Sequence, residues 1–399
     1  MAETQVDIFI SGGGLAGLMA AAAFSHAGFS VVLADPAPPV TEARAEGSDL
    51  RSTAFLQPAR TLFEDIGLWK LLAPHAVPLD ALRIVDTKGW PPEITETRTF
   101  EPGDLGETSF GWNLPNWLTR REVLGFVEKQ PHVQLALGTG FRSMLTRTRE
   151  ALVTLTDGTR LRARLVIAAD GRASPVREAA GIAAHTTRYG QKALAFTATH
   201  PIPHDNVSTE IYNQGGAFTT VPLPDHQGTP ASAIVWMNPG PKAQALAALP
   251  AAELGAEMTL RSCNMLGPME PASAIRIWPV ITQTAQRLTA ERTALVAEAA
   301  HVLPPIGAQG LNTSLHDVAA LYDLARAAPG DLGTPGQLAR YAKSRERDIA
   351  LRARAIDLFN RICQSGEPPV QALRSAGLRA THGIAPLRRT IMRAGLGSR

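Results

Sequence analysis

Val6-Asp7-Ile8-Phe9-Ile10-Ser11-Gly12-Gly13-Gly14-Leu15-Ala16-Gly17, followed by an alanine-rich run as far as Gly28, is the stretch on which the fold turns. An apolar strand pattern enters a G-x-G-x-x-G turn at Gly12, Gly14 and Gly17 and leaves it as a helix. The first glycine permits a tight turn, the second lets backbone approach a pyrophosphate, and the third lets helix and strand pack closely. The helix amides then face the phosphates. Ser30-Val31-Val32-Leu33-Ala34 reads as a second strand ending in Asp35, about 20 residues past the glycines, where a carboxylate accepts hydrogen bonds from a ribose. Alone, the glycines describe any strand-to-helix turn; strand, turn, helix, strand and terminal acid in this order predict an adenine-dinucleotide site. The motif does not separate FAD from NAD.

Bulk properties narrow the class. At 399 residues the chain exceeds one ordinary core, so two intimately joined domains or one elaborated domain are expected. A net charge of +3 is mildly basic, and neither a lysine-rich block nor basic-aromatic interleaving is present, so nucleic-acid binding is not expected. Cys263 and Cys363 lie far apart without metal or redox spacing, which points to a reducing, cytoplasmic compartment. The N-terminus enters a strand almost at once, without signal-peptide flanks. No apolar run approaches the roughly 18 residues a membrane span needs, so a soluble or membrane-peripheral protein is expected.

Past Asp35, a proline-rich loop leads to Ser48-Asp49-Leu50-Arg51-Ser52-Thr53-Ala54 and a helical pattern closed by Gly67. Residues 80–117 read as short strands, 120–127 as a helix, and Val153 to Gly158 as a hairpin. Arg164 to Ala169 is a buried-strand pattern that ends at Asp170-Gly171. Strand-like alternation returns over 190–280 with a helical insertion at 242–265, and helical spacing dominates from Gln337 to Cys363. This predicts an α/β protein: a discontinuous Rossmann-type nucleotide domain (1–72, 119–182 and 285–330), a β-sheet substrate domain (73–118 and 183–284) and C-terminal helices (331–399).

Two constellations narrow the cofactor. Asp170-Gly171-Arg172-Ala173-Ser174-Pro175-Val176-Arg177 matches D-G-x-x-S-x-V-R at every defined position, with Ser174 and Pro175 also suited to start a helix. Together with the N-terminal glycines it resembles the class A flavoprotein aromatic hydroxylases, in which this segment lies near FAD and helps accommodate NAD(P)H. Leu295 to Asn312, with Pro304-Pro305-Ile306-Gly307-Ala308-Gln309-Gly310-Leu311-Asn312, is similar to the segment of that family that runs beneath the flavin ribityl chain. The resemblance places backbone amides around Gly310, Leu311 and Asn312 at the flavin edge that becomes negative on reduction. It places Glu298 on a ribityl hydroxyl, although the family usually has Gly-Asp where this chain has Ala297-Glu298, so the carboxylate reaches one methylene further. It also assigns Arg51 and Arg120 to FAD, with Arg121 as the alternative to Arg120; each is otherwise a solvated surface arginine.

Several traits resemble the ubiquinone-biosynthesis branch of the family: Asp49 to Ala54 with Gly67-Leu68-Trp69, Tyr189-Gly190-Gln191-Lys192-Ala193-Leu194, Pro222-Leu223-Pro224, and Tyr341 with Arg345. The implied reaction uses NAD(P)H and O₂, through a C4a-hydroperoxyflavin, to hydroxylate a polyprenylated phenol. Hydroxylation of a small soluble aromatic and a flavin-poor accessory subunit of a biosynthetic complex remain the alternatives. Water exclusion protects the oxygenated flavin, and Tyr212, Phe218, Trp236 and Trp278 are the candidate substrate wall, with the sheet core as their alternative place. The hard chemistry belongs to the cofactor, so no protein nucleophile is assigned; His301, as a proton relay or bonded into its loop, and Pro305 are candidates for a direct role. His200 and His204 lack a third ligand, and no metal site is expected. Arg374, Arg379, Arg388, Arg389, Arg393 and Arg399, interleaved with apolar residues, read either as a face for anionic membrane or a partner protein, or as solvated helices packed on the FAD domain.

Overall fold

A computed structural model describes residues 3–397. In the first of two large sheets, Thr4–Ser11 lies between Val31–Asp35 and Arg160–Ala168 and is parallel to both. Val133–Leu137 and Thr293–Leu295 extend the parallel order outward. Parallel neighbours need a crossover, and the helix Leu15–His26 supplies it, buried continuously from Ala16 to Ser25. It contacts the helices Asn116–Val127 and Gln309–Ala327. Its alanines follow from that position, because a helix covered on all sides needs small side chains wherever neighbouring backbones approach. Ile8, Phe9 and Ile10 are all fully buried, as expected of a strand covered on both faces.

The second sheet runs in the order His301–Val302, Arg276–Ala285, Ala184–Thr199, Thr229–Pro239, Gly216–His226, Val207–Asn213, Ala81–Lys88 and Glu93–Phe100. Its period-two alternation sorts the core. Leu194, Phe196, Phe218, Ile234 and Trp236 form an outer face packed with Ala243, Leu246, Leu254 and Met258, which lie on the helices Gly240–Ala247 and Ala251–Arg261. Ala193, Tyr212, Ala217 and Met237 form the inner face, against Leu303, Ile306 and residues of the long helix Pro335–Gln364. A three-stranded sheet of Ser52–Leu56, Gly111–Pro115 and Val77–Pro78 lies between the two bodies in sequence.

Two boundaries differ from the sequence reading. His301–Val302 pairs with Gln283 and Thr284 of the second sheet, so the segment 285–330 is shared between the bodies. The excursion 73–118 is also divided: Ala81–Lys88 and Glu93–Phe100 join the second sheet, while Gly111–Pro115 pairs with Ser52–Leu56 and Val77–Pro78 with Gly111–Pro115. Such short strands carry no periodicity from which a partner is chosen.

The tail forms two helices, Pro368–Gly383 and Ala385–Leu396, docked on the second sheet by charge. Arg374 pairs with Asp86, Arg379 with Glu96 at 3.2 Å, and Arg388 with Asp104 at 2.8 Å. These three arginines therefore do not belong to a free anion-seeking face. Arg389 and Arg393 are exposed, and Arg399 lies outside the described residues. Among the described residues no helix is long and apolar enough to cross a membrane.

Candidate active site

The glycine turn is shaped for two different purposes. A Cβ on Gly12, which takes φ +108°, would lie 2.4 Å from the Ala169 carbonyl oxygen, and one on Gly17 would lie 1.9 Å from the Gly12 carbonyl oxygen. Both positions are closed by the protein itself. A Cβ on Gly14 would meet nothing within 4 Å, and the helix that Gly14 opens has no side-chain cap. Open space before uncapped amides is what an anion requires. Asp35 closes the strand Val31–Asp35 and accepts from Gly13 N–H at 2.6 Å and Ala37 N–H at 2.9 Å, so part of its accepting capacity holds the turn.

Asp170 ends the neighbouring strand beside this turn. Its Oδ2 accepts from Ser11 and from Val176 N–H, while its buried Oδ1 has no partner. Burial pushes the carboxyl up despite those bonds. Gly171 follows at φ +82°, and the Ser174 side chain caps the next helix through Arg177 N–H at 3.0 Å. Arg120 donates to the Val40 carbonyl at 3.2 Å and leaves its buried Nε unpartnered. The alternative, Arg121, pairs with Glu122 at the surface.

Arg51 is held by Asp49 at 2.7 Å, and Asn116 donates to the same carboxylate at 3.0 Å. Burial alone would raise the Asp49 carboxyl, but Arg51 and Asn116 outweigh it and hold it below the usual range. The Arg51 guanidinium lies 4.5 Å from the centre of the Trp278 ring, so Trp278, on the second sheet, meets the first body here. Glu298 is exposed and attracts Arg51 electrostatically. Its neighbour Ala297 takes φ +56°, a left-handed conformation that explains why glycine suits that position.

Gly307 and Ala308 take φ +60° and +55° in succession, turning the loop sharply into the helix Gln309–Ala327, which has no side-chain cap. A Cβ on Gly310 would meet nothing within 4 Å. Leu311 is half-buried at the same helix start. Asn312 is different: its side chain donates to Ala54 and Ala308 carbonyls and accepts from Leu56 N–H, fastening the helix to Ser52–Leu56, so only its backbone is left for a ligand. Pro305 is exposed on the loop.

His301 is 2 % exposed and bonds Asp317 at 2.6 Å; Asp317 in turn accepts from Arg345 at 2.8 Å and from Ala297 N–H at 3.0 Å. As a relay to substrate His301 is corrected, because its Nε2 is spent on this buried network and its Nδ1 is sealed from solvent without a partner. Burial raises the Asp317 carboxyl, and His301 and Arg345 overcome it. Of the proposed substrate wall, Phe218 and Trp236 are also corrected: both point to the outer face and pack edge to face 5.3 Å apart under the helices. Tyr212 lies on the inner face but is 2 % exposed and covered by Phe359. Trp278, 39 % exposed beside Arg51, is the one with free surface. His200 and His204 bond locally to Ile202, Ser232 and Leu223, and among the described residues no cluster of three His, Cys, Asp or Glu is placed to hold a metal.

A cleft of about 1190 Å³ is lined by Ile94, Ala256, Leu260, Cys263 and Met269. It lies by the helix Ala251–Arg261, away from the glycine turn and the loop 304–310, so size alone does not mark the chemistry here. The turn, the uncapped starts at Gly14 and Ala308, and the unpartnered Asp170 Oδ1 and Arg120 Nε together fit FAD. Sequence reading singled out Asp49 and Arg345 only as traits of the branch and missed Asn116 and Asp317, because lone polar residues on helices and loops carry no spacing signal for these pairings.

A model of the FAD binding domain family matches residues 5–353. A ubiquinone hydroxylase, UbiL, of Rhodospirillum rubrum is 33% identical over 400 residues, covering 100% of this chain and 91% of its own. A 3-demethoxyubiquinol 3-hydroxylase of Escherichia coli is 27% identical, with 100% of both chains covered. Among solved structures, p-nitrophenol 4-monooxygenase PnpA from Pseudomonas putida superposes with a TM-score of 0.79 at 18% identity over 100% of both chains, a likeness of fold.

Proposed function

The chain belongs to the FAD binding domain family of flavin monooxygenases, and from that premise we propose that it hydroxylates a polyprenylated phenol in ubiquinone biosynthesis, using FAD, NAD(P)H and O₂. End-to-end likeness to a ubiquinone hydroxylase is the observation that carries the reading. When bound, FAD takes electrons from the nicotinamide and activates O₂ for transfer of an OH group to the ring. The protein's part is to bind, orient and keep water out. Gly14 and the helix Leu15–His26 would receive the pyrophosphate, with Asp170, Arg120, Arg51 and Glu298 on the remainder. The uncapped amides around Gly310 and Leu311 would favour negative charge at the flavin edge. The sheet's inner face covers the ring site.

The substrate is lipid-soluble, and a membrane-peripheral placement of the protein goes with it. Ile384, Leu387 and Ile391 are exposed along the last helix beside Arg389 and Arg393, which supports an anionic membrane as the surface met there. The decisive experiment incubates FAD-loaded protein with NAD(P)H and either a prenylated or an unprenylated phenol, and profiles quinones in a deletion strain. Hydroxylated prenylphenol and an accumulated precursor are expected. Turnover of the unprenylated phenol alone would move the substrate to a small soluble aromatic. Failure to bind flavin would favour an accessory subunit.

A further inference from the structure

The inner face of the second sheet is not evenly filled. Thr219 and Val235, cross-strand partners in its middle, are half-buried, although Phe218, Ile234 and Trp236 behind them are sealed. Glu210 is the next residue in the same row, paired with Thr219, and its carboxyl accepts from Gly307 N–H of the loop that starts the helix Gln309–Ala327. Tyr212, two residues along the strand, donates its hydroxyl to Glu210 Oε2. A carboxyl group thus bridges the sheet and the exposed loop carrying Pro305 and Gly307, beside the half-buried Thr219 and Val235.

We propose that Glu210 is the base that receives the phenolic proton of the substrate, held in place by Tyr212 and Gly307 N–H. The inference rests on the phenol-hydroxylase reading. An OH group transferred as an electrophile meets a richer ring when the phenol is ionised. The phenolic O–H bond breaks, a new O–H forms on Glu210, and the electron pair stays on the substrate as phenolate; the proton returns when product leaves. No redox change occurs at the protein.

The other carboxylates of this region are committed. Asp86 is held by Arg374 and Ser375, and Asp357 by Arg361 and the Tyr189 hydroxyl. Glu210 has no ion-pair partner among the described residues. The groups that face it are Tyr212 on its own strand, the Cys363 thiol on the long helix, and Gly307 N–H on the loop. Arg374 from the tail helix lies beyond, already paired with Asp86. Burial raises the Glu210 carboxyl, against the bonds from Tyr212 and Gly307, and so brings it closer to a phenol and makes transfer less uphill.

The test uses FAD-loaded protein, ortho-prenylphenol as probe, and the variants Glu210→Gln and Tyr212→Phe. Flavin content and the thermal midpoint are checked first. Absorbance of the bound phenol, titrated across the neutral range, reports its ionisation; product and peroxide yields report coupling. Wild type is expected to bind the probe as phenolate well below its solution pKa. Glu210→Gln should bind it neutral, hydroxylate it about a hundredfold more slowly and release more peroxide, with unchanged flavin content. Tyr212→Phe removes a donor that lowers the Glu210 carboxyl, so the bound phenol should be at least as ionised as in wild type. If Glu210→Gln ionises the bound phenol as wild type does, the proposal is overturned. If Glu210→Gln does not fold, a bound phenol that is less ionised in Tyr212→Phe than in wild type overturns it instead. If wild type hydroxylates no phenol at all, the functional reading falls, and this inference with it.

Discussion

Gly14 and Gly17 sit three residues apart in one motif, yet the structure gives them opposite failure modes. A side chain at Gly17 would collide with the Gly12 carbonyl, so Gly17→Ala is expected to disturb the turn and lower the thermal midpoint. A side chain at Gly14 would meet no protein atom. Gly14→Val should therefore leave folding nearly intact and strip FAD, read as the flavin-to-protein absorbance ratio; full flavin retention would remove the pyrophosphate from this turn. Glu298 is the other residue whose replacement separates readings. Loss of one charge-assisted bond to the ribityl chain predicts roughly ten- to hundredfold weaker FAD binding for Glu298→Ala in a flavin titration. Glu298→Asp with Ala297→Gly should bind at least as tightly as the parent, since glycine relieves a left-handed alanine that costs on the order of 1 kcal/mol. Unchanged binding in Glu298→Ala would show that the carboxylate does not touch the cofactor.

At the scale of elements, the helix Gln309–Ala327 joins the loop 304–308 to the tail. Gln309 donates to the carbonyls of Gly307 and Gly395, and Arg352 of the long helix donates to Gln309. His316, on the same helix, lies under Gly397, where an added Cβ would approach it within 2.3 Å. Burial, then Arg345 and Arg352, push His316 down to about 4 from an ordinary 6.5. The sign follows: the folded state favours the neutral ring, so its contribution to stability is complete above pH 6.5 and is lost as the pH falls toward about 4. Thermal midpoints measured over that interval should fall more steeply for wild type than for His316→Gln. Equal slopes would mean that other groups govern acid sensitivity there.

For the whole molecule, the tail helices turn one set of basic residues inward and leave another outside. Arg374, Arg379 and Arg388 clamp the tail to Asp86, Glu96 and Asp104; Arg389 and Arg393 remain exposed beside Ile384, Leu387 and Ile391. Salt-sensitive co-sedimentation with anionic vesicles is expected, lost in Leu387→Asp with Ile391→Asp while flavin content stays unchanged. Indifference to vesicles at low salt would leave the tail as a lid on the sheet. The distinction matters for a lipid-soluble substrate, because the same helix presses Met392 and Leu396 into the cluster that contains Leu56 and Ala308.

The nucleotide half was legible because its signals are local. Gly12, Gly14, Gly17, the run ending in Asp35 and the Asp170-Gly171 turn are each dictated by backbone conformation within a few residues, and a motif of φ angles and close approaches is written directly in residue types. Period-two alternation likewise announced the second sheet. Alternation does not say which face of that sheet is covered by helices: Phe218 and Trp236 carry the same pattern as Tyr212, one register apart, and only the helices packed across Phe218 and Trp236 put them on the opposite face. Partnering over long separations was equally invisible. The sequence leaves His301 as a relay or a histidine bonded into its loop until Asp317, held by Arg345, closes on it, and Arg374 reads as a surface charge until Asp86, 288 residues away, is brought to it. The sequence by itself determined the turn, the strands and a dinucleotide site, because their causes lie within a few bonds. Tertiary structure alone decided which polar groups are spent on one another and which, like Glu210, are buried without an ion-pair partner among the described residues, because burial and pairing depend on what the rest of the chain places nearby.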